Sequence, residues 1–164
     1  MISPELLRRY PYFAGVNEDC LKSVAAISEE KSFKSGDVVF EESGELKASA
    51  HLYEKGEEAS HLMIISEGQV DIAFKLTGDR KVVVGTLLAG DLAAISALVP
   101  PYHLTASGIA KQDGKLIQIE AAKLRQLLEE NPELGYRLMS GVSQALLTRL
   151  NQTRIELAGQ SPVS

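Results

Sequence analysis

From Glu30 to Ile119 short β-prone runs alternate with turn residues, whereas helical spacing governs the chain on either side. The runs are Lys31–Phe33, Asp37–Glu41, His61–Ser66, Gln69–Lys75, Lys81–Leu87, Thr105–Ala110 and Lys115–Ile119. Between them fall Ser35-Gly36, Gly44, Gly56, Gly68, Thr77-Gly78-Asp79, Gly90 and Asp113-Gly114. Several short strands at near-regular spacing, bounded by such residues, predict a mainly β sandwich, barrel or roll. Val70, Ile72 and Phe74 alternate with Asp71, Ala73 and Lys75, which aims one face of that strand inward. The segment Glu41–Leu52 reads as a loop or a small extra hairpin.

The flanks carry helix signals. Ser3-Pro4-Glu5 offers a capping side chain, a proline for the first helical position and an acid for the first turn. Asn17 is a second N-cap, with Val16 and Leu21 spaced as a hydrophobic staple across it. Leu21, Val24, Ala25 and Ser28 then follow helical spacing. After the β region, Ala121–Glu130 sets Leu124, Leu127 and Leu128 on one side, and Asn131-Pro132 interrupts the helix because a residue before proline avoids α geometry. A long final helix follows, to about Ala158 with Gly159 as its stop. Met139, Val142, Leu146, Leu150, Thr153 and Leu157 form a heptad-like stripe along it. That stripe suits packing against the chain's own β region and suits a dimer helix equally.

Composition narrows the function classes. The length of 164 residues suits one domain with a sizeable core. Apolar residues are dispersed, no run approaches the roughly 20 needed to span a bilayer, and MISPELLRRYPYF lacks a secretory h-region. A cytoplasmic protein without membrane contact is expected. Cys20 is the only cysteine, which excludes an internal disulfide and a cysteine-ligated cluster within one chain, and it reads as a small core residue. His51, His61 and His103 are isolated, so no metal site is expected. No Gly-x-Ser-x-Gly elbow, P-loop or His-Glu-x-x-His helix is present, and the expectation is a non-enzyme. The net charge of −5 argues against bulk affinity for nucleic acid.

Helices, a β-roll and two further helices follow the order of cyclic-nucleotide-binding domains of the catabolite-activator/FNR type, and four segments resemble that family. Leu6–Glu41 resembles its opening, with Phe-Ala-Gly, a capped helix and Lys-Ser-Gly-Asp before a β-branched strand. Tyr53–Ile72 is similar to its central hairpin, and Gly90–Ala110 lies where the family carries its phosphate-binding cassette. Ile119–Leu138 is similar to its return helix and Asn-Pro-Glu-Leu junction. The resemblance implies one β-roll or jelly-roll domain over 1–164: N-terminal helices at 1–28, the roll at 30–119 and C-terminal helices at 120–158. About ten residues beyond the family pattern are placed near Ser43–Leu52, where a surface excursion is tolerable because closure entropy grows slowly with loop length. Transcription factors of the family place a helix-turn-helix after the long helix; here Ser164 follows shortly, and direct DNA binding is not expected.

The resemblance also locates a ligand site. Typical cassettes present Gly-Glu, a short helical turn and then Arg before Ser or Thr; turn N–H groups and the Arg receive a cyclic phosphate, and the Glu accepts a ribose hydroxyl. If Gly90-Asp91 opens the cassette, Ala94-Ile95 stands at Gly-Glu and Leu104 stands at the Arg, ahead of Thr105-Ala106-Ser107. Losing such a desolvated charged hydrogen bond costs about 2–5 kcal/mol, so tight conventional cyclic AMP binding is not expected. What remains is a turn over Ala93–Ala97 with free N–H donors, the hydroxyls of Ser96 and Thr105, and His103, either an exposed loop histidine or a partner for an anion. The ligand site is thus Gly90, Asp91, Ala94, Ile95, Ser96, Ala97, His103, Leu104 and Thr105, with the ligand unidentified. Two functions follow: a sensor binding a small, possibly anionic molecule, or a ligand-free dimerisation or protein-interaction domain. The sensor is the favoured reading, as a homodimer through the final helix.

Overall fold

The computed structural model describes residues 1–41, 58–75 and 80–160. Ser3 caps α1 (Pro4–Arg8) by accepting the Glu5 N–H at 3.3 Å, and Asn17 caps α2 (Glu18–Ala26) by accepting the Cys20 N–H at 2.8 Å. Val16 and Leu21, on either side of the second cap, are buried in the same core. A 3₁₀ turn at Pro11–Phe13 joins the two helices. α2 stops at Ala26 and does not reach Ser28, which opens the first strand with its hydroxyl donating back to the Val24 carbonyl at 2.7 Å. Cys20 lies in this core, and burial pushes its thiol pKa up.

The strands among the described residues are β1 (Ser28–Phe33), β2 (Val38–Phe40), β3 (His61–Glu67), β4 (Val70–Lys75), β5 (Lys81–Leu87), β6 (Leu92–Ala93), β7 (Ser107–Ala110) and β8 (Gly114–Glu120). They form two antiparallel four-stranded sheets, ordered β1-β8-β3-β6 and β2-β7-β4-β5. β1 begins earlier than Lys31 because an edge strand bonded only to β8 can leave Glu29, Glu30 and Lys31 in water. The expected alternation in β4 breaks at Ile72-Ala73, both buried, where pairing with β5 slips in register. The run at Thr105 starts late: Thr105 and Ala106 precede β7. Residues Ser43–Leu52 and the turn at Thr77-Gly78-Asp79 lie outside the described residues.

Strand alternation builds two cores. Leu62 and Ile64 of β3, with Ile117 and Ile119 of β8, face the helices and meet Leu7, Phe13, Leu21 and Leu124. Ile65 and Leu116 point the opposite way, into the roll, against Phe33, Phe40, Val70, Ile72 and Leu87. β3 is therefore covered on both faces, the reason for its continuous apolar run.

α3 (Ala121–Glu130) and α4 (Pro132–Gln160) meet at Asn131, whose N–H and side-chain amide both donate to the Leu127 carbonyl. Gly159 does not stop α4, which runs on to Gln160. Leu134, Leu138 and Val142 bury α4 against the helical core, and Gly141 lets Tyr12 and Leu92 approach closely. The apolar stripe divides. Val142 is buried in the helical core, while Met139, Leu146, Leu150 and Leu157 are exposed at 38%, 49%, 47% and 63%. No described helix is long and apolar enough to cross a membrane.

Candidate functional site

The cassette starts at a turn stitched by four hydrogen bonds. Gly90 adopts φ +95°, a left-handed conformation that favours glycine. Its N–H donates to Ile65 O at 2.7 Å, and the Ile65 N–H donates to Asp91 O at 3.0 Å. Asp91 closes the turn twice: its N–H donates to Leu88 O at 3.0 Å, and Oδ2 accepts the Leu88 N–H at 2.8 Å. Gly90 and Asp91 thus hold the turn in place. Burial first, then the Asp91 carboxylate, raises the Tyr12 phenol above its ordinary pKa, and the Tyr12 hydroxyl donates to Gly90 O at 2.9 Å.

The next residues differ from expectation. Ala93 does not join the expected helical turn; with Leu92 it forms β6, pairing with Met63 and Ile64 of β3. Ala94 takes a left-handed conformation, φ 53° and ψ 38°, and starts a 3₁₀ turn over Ile95–Leu98. The first bond of this turn runs from Ala97 N to Ala94 O, leaving the Ile95 and Ser96 N–H groups ahead of it. Ser96 does not cap the turn: Ala94 holds that place, with no side-chain bond.

Ala94, Ile95, Ser96, Leu104 and Thr105 converge on a recess of about 30 Å³ beside Phe40. Thr105 is exposed, and Leu104 is half-buried and packs against both cores. Ile95 belongs to the helical core, at 4% exposure. The two positions where the family pattern places charge are therefore apolar packing positions. Ala97 is fully buried. His103 lines an adjoining cleft of about 240 Å³ that shares Ser96 and Thr105 with the recess and includes Pro101 and Leu146 of α4. Among the described residues no group of three His, Cys, Asp or Glu side chains is placed to hold a metal ion.

Arg149, which sequence reasoning missed, enters this site from α4. It lines the recess with Ser96 and Thr105, and its Nη2 donates to Leu92 O at 2.9 Å. It also borders a cleft of about 180 Å³ between α4 and β5, with Asp91, Thr86, Gln144 and Gln152. Burial pulls its pKa down from the ordinary value, and the Asp91 charge opposes that shift. A second helix-borne arginine holds the far end of the turn: Arg125 of α3 donates to Ala97 O at 2.7 Å and stacks over the Tyr102 ring at 4.0 Å. Its partner Glu58 lies at 3.5 Å. Cassette carbonyls thus accept from Tyr12, Arg149 and Arg125, one on the N-terminal 3₁₀ turn and one on each C-terminal helix. Arg149 follows Leu138, Val142 and Ala145 on the inward side of α4 at helical spacing, a signal that could have marked it.

The geometry is that of a cyclic-nucleotide-binding β-roll, and the comparisons agree. The family model of the cyclic nucleotide-binding domain matches residues 43–131. A protein of Geobacter metallireducens GS-15 assigned to the cyclic nucleotide-binding proteins is 37% identical, with a TM-score of 0.73 over 92% of this chain and 99% of that one. The chain therefore belongs to the cyclic nucleotide-binding domain family, and it is a domain of the regulatory type. The sensor domain of the transcriptional regulator DNR from Pseudomonas aeruginosa shares the fold, with 18% identity, a TM-score of 0.67 and 90% of each chain covered. So does the catabolite activator protein of Thermus thermophilus, at 18% identity and a TM-score of 0.63 over 90% of this chain; the match spans 61% of that protein. Comparison with curated protein sequences gives no significant match.

Proposed function

We propose that this chain is a non-catalytic, cytoplasmic sensor module, a single domain whose cassette takes a small anionic ligand and passes its occupancy to α4. The observation that carries this reading is the direct tie between cassette and helix. Arg149 joins the recess wall to the Leu92 carbonyl, so any ligand that alters the recess alters the seating of α4. A ligand moves such an equilibrium only by its differential affinity for the two seatings. The exposed residues Met139, Leu146, Leu150 and Leu157 lie on the outer side of the same helix and suit a parallel pairing of two copies. Sedimentation should then find a dimer, and Leu150→Glu should yield a monomer with the same secondary structure; a wild-type monomer at high concentration refutes the pairing.

The ligand reading is tested by thermal unfolding with cyclic AMP, cyclic GMP, cyclic dinucleotides and inorganic phosphate. Saturation at about 100 times Kd adds about 2.7 kcal/mol, a rise of several degrees for a chain of this size. Absence of any shift at millimolar concentration refutes it. The second reading, a ligand-free dimerisation or protein-interaction domain, draws support from Ile95 and Leu104, which fill with packing the positions where charge was expected.

A further inference from the structure

We infer that Arg149 of α4 is the anion-binding cation of this site, standing in from the helix for the charge that Leu104 cannot supply. The inference deepens the sensor reading and rests on it. Three observations point to it. Arg149 lines the recess together with Leu104, Ser96 and Thr105. Its placement is half-buried, yet among the described residues it makes no ion pair, and the bond to Leu92 O engages one nitrogen of a group that carries five N–H donors. The recess also sets a scale: at about 30 Å³ it takes about two water-sized atoms, room for two oxygens of an oxyanion and none for a nucleoside.

A half-buried cation is costly to keep when the nearby Asp91 charge offsets only part of its burial and no ion pair is formed. The cost is met when an oxyanion docks between Arg149 and the Thr105 hydroxyl. The natural ligand is thus a small molecule bearing a phosphate, phosphodiester or carboxylate, with the body of the ligand outside the recess. The adjoining cleft of about 180 Å³ shares Arg149 and Ile72 with the recess and adds Gln144, Gln152, Thr86 and Leu87 to its lining. Because the cation sits on α4, recognition of charge and movement of the helix are one event. A cassette arginine would have left the helix out of the contact.

Isothermal titration and thermal shift, on the full chain, compare cyclic AMP, inorganic phosphate and adenosine against wild type, Arg149→Gln and Arg149→Lys. The expected result is binding of cyclic AMP or phosphate without binding of adenosine, with phosphate alone identifying a free oxyanion and cyclic AMP alone a phosphodiester. Arg149→Gln should then weaken affinity about tenfold to a hundredfold, as for loss of a charge-assisted bond, and Arg149→Lys should weaken it less. A guanidinium that serves only to hold Leu92 O predicts a different pattern: ligand-free melting falls while the ligand-induced shift persists. Undiminished cyclic AMP binding by both folded variants overturns the assignment and leaves the sensor reading standing. Equal binding of adenosine and cyclic AMP also overturns it, since the anion is then not what is read. Failure of wild type to bind any probe at millimolar concentration overturns both.

Discussion

Replacing Tyr12 by phenylalanine removes one oxygen at the point where the N-terminal turn, the Gly90 turn and α4 meet. The hydroxyl donates to Gly90 O at 2.9 Å, while the ring packs edge-on to Phe13 with centroids 6.5 Å apart, so the substitution deletes the bond and keeps the packing. A hydrogen bond of this kind contributes about 0.5–1.5 kcal/mol net. For a chain of this size each kcal/mol moves Tm by about 2–4 °C, which gives a fall of about 1–6 °C at neutral pH. A second readout comes from ionisation. Burial, and after it the Asp91 carboxylate, raises the Tyr12 phenol above 10.0, against a smaller lowering by the Leu92 backbone. The unfolded chain therefore ionises first as pH rises. The phenol's contribution is complete below 10.0 and is lost as pH climbs through the higher folded value. Calorimetry of the two proteins, at neutral pH and across the alkaline range, should show the wild type losing stability more steeply on the alkaline side, with the two curves converging there. An unchanged Tm at neutral pH, or parallel alkaline curves, refutes the claim that this hydroxyl holds the cassette turn.

Leu138→Ala empties a fully buried site in the helical core and should cost about 2–5 kcal/mol in urea unfolding, whereas Leu150→Ala, at 47% exposure, should cost far less in the monomer. Gly68→Ala should destabilise severely, by calorimetry, because φ is +83° and the new Cβ would lie 2.6 Å from the Asp113 carbonyl oxygen. The Asp113 carboxylate accepts the Ser35 N–H at 2.8 Å, and that bond, with Lys34 after it, holds its pKa below 3.8. Its contribution is present above 3.8 and lost as pH falls through the lower folded value, so Asp113→Asn should flatten the acid limb of the stability curve below 3.8 and leave its shape at neutral pH unchanged.

What the sequence determined by itself is whatever short-range chemistry controls. Asn17 and Ser3 cap their helices through bonds spanning two or three residues, and Asn131-Pro132 breaks the C-terminal pair at the predicted place. The glycine-punctuated runs become the strands of a β-roll, and Gly90-Asp91 closes the turn that opens the cassette. These signals are local, so propensity and spacing carry them. Tertiary structure decided the rest. Ser28 has helical spacing after Val24, yet pairing with Ile119 of β8 draws it into a strand. Ala93 has helical propensity, yet pairing with Met63 makes it β6 and delays the turn to Ile95. The α4 stripe is uniform as a pattern, but the end of the roll sets how far it is covered, and Val142 is buried where Leu146 is not. Arg149 reads as an ordinary helical arginine until the fold brings it to residues more than forty positions away, in one recess with Ser96 and Thr105. Such placements depend on contacts between distant segments, whose closure no local pattern encodes.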